Sequence, residues 1–79
     1  MRALDLSPGV AVADILRQAI DDENDSYAYY MRAAELVHSP WERDMFRGLA
    51  EEELKHARRL EDLLANLETR EALNTALGG

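Results

Sequence analysis

The chain has 79 residues, 16 Asp and Glu against 9 Lys and Arg, and a formal net charge of -7. Its length holds at most one domain, and with no cysteine it has no disulfide framework, zinc ribbon or iron-sulfur site. The acidity argues against nucleic acid and for cations, and no apolar run approaches the roughly 18 residues of a membrane span, so no membrane partner is expected.

Taken in chain order, the pattern predicts a single all-α domain. A first helix is expected over about residues 8–38, with Leu16, Ile20, Glu23, Tyr27, Tyr30, Ala34 and Val37 recurring at helical spacing along one face. Ser39 and Pro40 mark a turn. Ser39 suits an N-cap, Pro40 the first helical position, and Glu42 completes a capping box that starts a second helix over about 40–68. Thr69 is expected to open a short third helix over about 69–77.

The second helix carries the feature that matters most. Phe46, Leu49, Leu60, Leu63 and Leu67 form an apolar ladder, and its two missing rungs are Glu53 and His56. Burying an unpaired carboxylate or imidazolium is costly, so such groups are normally paired or metal-bound. Glu-x-x-His places both side chains one turn apart on one face. Glu23 lies on the apolar seam of the first helix. It stands 16 residues before Ser39, while Glu53 and His56 stand 14 and 17 after it. At about 1.5 Å per residue all three lie roughly 21–26 Å from the turn. Glu52, four residues before His56, is the competing carboxylate, but only Glu53 keeps the leucine phase.

Asp22, Asp25 and Tyr29 share a stripe beside Glu23, and Asp22 with Asp25 form a candidate entry site for divalent cations. Asp21 is read as a solvated outer-face residue, and His38 as a cap on the turn rather than a ligand. Two amphipathic helices bury only one face against each other, which is marginal for so short a chain, so a homodimer is the minimum expected assembly. Four-helix carboxylate di-iron sites draw one Glu from each of two helices and one Glu-x-x-His from each of the other two. One chain holds half of that set. Two chains would supply four carboxylates and two imidazoles, suited to Fe(II), with Mn(II) or Zn(II) as substitutes.

The stretch from Ile15 to Leu67, with Glu23, Tyr30 and the run from Ala50 to Leu64, resembles the ferritin-like superfamily and its rubrerythrin-like sequences. The chain is most similar to encapsulated ferritins, helical hairpins that dimerise into a ferritin-like four-helix bundle. That resemblance implies a ferroxidase. Glu23, Glu53 and His56 would be its di-iron ligands, Tyr30 a residue orienting a ligand carboxylate, and Asp22 with Asp25 an entry or secondary metal site. It further implies a ring-like oligomer, a partner in an encapsulin shell protein, and a cytoplasmic location inside that nanocompartment. Two alternatives stand beside it. A rubrerythrin-like peroxide-reducing protein would need an external electron donor, and a metal-free dimerisation hairpin would pair Glu53 with His56.

Overall fold

The computed structural model describes residues 11–76, and these form two helices, α1 (Val12–Leu36) and α2 (Pro40–Ala76), packed as an antiparallel hairpin. The expected start of the first helix near residue 8 lies outside the described residues. Within them α1 opens at Val12 behind an extended Ala11 that offers no side-chain cap. It closes at Leu36, two residues short of expectation. Val37 turns extended (φ -87°, ψ 154°) while its N–H still donates to the Ala33 carbonyl at 3.2 Å. The proline ring of Pro40 disfavours helical backbone at Ser39, so the break falls here. The Glu42 N–H donates to Ser39 Oγ at 3.4 Å, supplying the backbone half of the capping box.

No third helix begins at Thr69, because α2 runs unbroken to Ala76. A threonine starts a helix by turning its hydroxyl onto N–H groups ahead of it. Thr69 instead donates backward to the Ala65 carbonyl at 2.9 Å, and Thr75 does the same to Glu71 at 3.0 Å.

Along α1 the interhelical seam follows the expected phase: Leu16, Ile20, Glu23, Tyr27, Tyr30 and Val37 are half-buried and Ala34 is buried. The seam of α2 is rotated from expectation. It runs through Phe46, Ala50, Glu53, Leu54, Ala57, Leu60, Leu64 and Leu67, whereas Leu49, His56 and Leu63 lie at its exposed edge. Side-chain size accounts for the rotation. Ala50 and Ala57, 0% and 1% exposed, let the helices approach most closely there and swing the larger neighbours aside.

The only fully buried apolar residues among those described are three alanines, and no large side chain is fully enclosed. Leu63, Leu49, Met45 and Trp41 line an exposed stripe of α2, and Ile15, Tyr29 and Leu36 are exposed on α1. This much open apolar surface on so thin a hairpin is of the kind that marks an interaction face.

Candidate metal centre

Glu23 enters from α1 and Glu53 and His56 from successive turns of α2. Each offers a ligand atom within 4.8 Å of the others, and no other group of three acidic or histidine residues gathers this way among the described residues. The level arithmetic explains the meeting. Residues equally far from a tight turn come level in an antiparallel pair, whatever their separation in sequence. The layers on either side are apolar or aromatic: by spacing, Tyr27 and Ala50 stand one turn nearer the hairpin turn, and Ile20 and Ala57 one turn farther away.

The electrostatics of the cluster leave it short of positive charge. Glu23 Oε2 is buried and has no hydrogen-bond donor, and the imidazole Nδ1 of His56 stands at 3.5 Å, too long for a good hydrogen bond. Glu53 has its carboxyl pKa raised, first by sharing a hydrogen bond with Glu23, then by burial and by the Glu23 charge, with His56 opposing. Two carboxylates forced together share a proton unless a cation replaces it. The donor set, two hard oxygens and one imidazole with an orphaned buried oxygen among them, fits a divalent transition metal.

His56 is less enclosed than its ladder position predicts, with 56% of its side chain exposed against 19% for Glu23. It reaches Glu23 from the rim of the seam, so the cluster opens sideways to the exterior. Glu52 lies outside the cluster and pairs with Lys55 at 3.5 Å on the surface.

Asp22 and Asp25 are not part of the Glu23, Glu53 and His56 cluster. Asp22 is 7% exposed and accepts a hydrogen bond from Gln18 Nε2 at 3.1 Å, while Asp25 is exposed. The buried Asp22 carboxyl, expected from the sequence on a cation entry stripe, thus has a local partner beside the seam. The i, i+4 relation to Gln18 is the sequence signal for that hydrogen bond. Tyr30 stacks on Phe46 at a centroid distance of 6.4 Å and meets Tyr29 edge-on at 5.5 Å. It makes no side-chain hydrogen bond to the cluster among the described residues, so its observed contacts are aromatic packing two turns from the carboxylates, beyond the Tyr27 layer.

An all-helical hairpin with a Glu opposite a Glu-x-x-His carries half of the ligand set used by ferritin-like metal-binding proteins. The rubrerythrin family model matches residues 14–77, and the chain belongs to that family, whose members typically bind iron. No curated protein and no solved structure matches the chain. No helix among the described residues is long and apolar enough to cross a membrane.

Proposed function

We propose that two copies of this hairpin pair through their open faces and oxidise Fe(II) at a di-iron site shared between them. The observation that carries this reading is the Glu23, Glu53 and His56 cluster: half of a di-iron ligand set, held on one hairpin and open on one side. In a pair, four carboxylates and two imidazoles hold two Fe(II) ions as substrate, and the four negative charges balance them. Each Fe(II) gives up one electron; O2 takes both, with two protons, and leaves as hydrogen peroxide.

The residues of the chain do three things in this reaction. Glu23 and Glu53 exchange their shared proton for metal, His56 supplies an imidazole nitrogen, and the Tyr30–Phe46 stack closes the seam two turns away toward the hairpin turn. A two-helix unit encloses no volume for a mineral, so the oxidised iron is handed on. An encapsulin-type shell is the receiver this reading names, supported by the resemblance of the half-length hairpin to encapsulated ferritins.

The test is aerobic addition of Fe(II) to protein purified without metal. Rapid appearance of ferric absorbance that continues past two irons per pair of chains and ends in ferric precipitation is expected; oxidation no faster than in buffer refutes the proposal. Soluble particles carrying hundreds of irons would refute separation of oxidation from storage. The family match equally favours a peroxide-reducing role. Oxidation of bound Fe(II) by hydrogen peroxide much faster than by O2 would select that reading.

A further inference from the structure

We infer that Trp41 and Met45 of one hairpin seat in an apolar groove at the far end of a second copy, the two chains being related by a twofold axis that crosses the helices at the metal centre. The inference rests on the shared-site reading and adds the direction and the anchor of the pairing.

Three observations carry it. Trp41 is 72% exposed and Met45 40%, at the turn end of α2, and both stand open to the exterior among the described residues. A groove of about 370 Å³ opens at the other end, lined by Val12 and Leu16 of α1 and by Leu63, Asn66, Leu67 and Arg70 of α2. The knob and the groove lie equally far from the centre. Trp41 is twelve positions before Glu53 and Glu68 twelve after His56, while Met45 is eight before Glu53 and Leu64 eight after His56. Twelve residues span about 18 Å of helix. A twofold axis through the midpoint of Glu53 and His56 therefore brings the level of Trp41 onto Leu67 and Glu68 of the second copy, and Met45 onto Leu63 and Leu64.

The faces agree as well as the levels. Met45, Leu49, His56 and Leu63 recur at spacings of four, seven and seven, so they share one side of α2, and Leu49 falls opposite Leu60 of the other copy. The pairing is isologous, so each chain donates one knob and offers one groove, and the contact closes as a dimer rather than a filament. Arg70 at the groove edge supplies a cation for the face of the indole. The other twofold arrangement, with its axis along the helices, sets Trp41 against the level of the turn and leaves both grooves empty.

The experiment uses the full chain with Mn(II), which binds as Fe(II) does without turning over in air. Trp41 is the sole tryptophan, so its emission reports the knob alone. Mn(II)-driven dimerisation should shift that emission to shorter wavelength and cut iodide quenching several-fold. Trp41→Ala should weaken dimerisation about tenfold or more with helix content retained, as loss of a central aromatic anchor does. The chain has no native cysteine, which leaves cross-linking free of background. Met45→Cys mixed with Leu63→Cys should form a disulfide-linked dimer on oxidation, whereas either variant alone should not, two copies of residue 45 being roughly 28 Å apart. A Mn(II) dimer in which Trp41 stays exposed, or in which Met45→Cys links to itself, overturns the inference and leaves the shared site standing. A chain that stays monomeric with Mn(II) overturns both.

Discussion

Glu23 Oε2 and His56 Nδ1 stand 3.5 Å apart across the hairpin although 33 residues separate them in sequence. They are too far apart for a firm hydrogen bond, and both sit within reach of Glu53. Such spacing is what a cation between them needs. Without one, the two carboxylates relieve their repulsion by sharing a proton.

Removal of any ligand should therefore abolish metal chemistry while sparing the fold. Glu23→Ala, Glu53→Ala and His56→Ala should each lower the initial rate of Fe(II) oxidation by about a hundredfold, since even residues that only support ligands are worth about 10- to 100-fold. Circular dichroism should show helix content unchanged. Glu52→Ala should oxidise iron nearly normally; the reverse pattern between the Glu52 and Glu53 variants would mean that the wrong carboxylate has been assigned.

The raised pKa of Glu53 gives the metal-free hairpin a pH dependence of definite sign. A carboxyl whose folded pKa lies above its unfolded value binds more protons in the folded state between the two values, so its contribution to stability fades as pH rises through the folded pKa. Below the ordinary carboxyl value of 4.5 both states are protonated and the contribution is constant. Denaturation titrations of wild type and Glu53→Gln should show the variant's advantage shrinking as pH falls from neutral toward 4.5. Metal should reverse the trend, because binding expels the shared proton, and Mn(II) affinity should drop over the same window.

Relieving the buried charge should stabilise the pair at the expense of function. The double substitution Glu53→Leu with His56→Leu makes the face covered in the proposed pair wholly apolar, and replacing ionic groups that pairing would bury with apolar ones of similar size often gains about 1–4 kcal/mol. Light scattering should find a dimer that forms without metal, and thermal melts a higher midpoint, with no Fe(II) oxidation. A less stable double variant would indicate that Glu53 and His56 already pair favourably in the metal-free protein.

Gly48 lies within α2, where an added Cβ would meet no atom within 4 Å. Gly48→Ala should stabilise the hairpin by about 0.5–1 kcal/mol, the cost of glycine in a helix interior. For a domain of this size that is a rise of several degrees in melting temperature. An unchanged or lower midpoint would show that this surface is covered by something larger than solvent.

Two helices, their turn at Ser39 and Pro40, and the common level of Glu23, Glu53 and His56 were all legible from the sequence. Each depends on distance along the chain, and a rise of about 1.5 Å per residue converts residue counts into heights without knowledge of any neighbour. The seam of α1 was legible for a related reason, since its apolar residues recur without a break at helical spacing. Rotation about the axis of α2 was not. The leucine ladder favoured Leu49, His56 and Leu63 as inward residues, and the contact instead forms on Ala50 and Ala57, because close approach rewards small side chains that a hydrophobic pattern ranks low. Three-dimensional packing also decided that Asp22 is buried against Gln18, that Tyr30 stacks on Phe46, and that α2 continues through Thr69. The stack depends on which side chains meet across the hairpin, and the other two outcomes on which hydrogen bond wins among the several local ones that residue spacing allows.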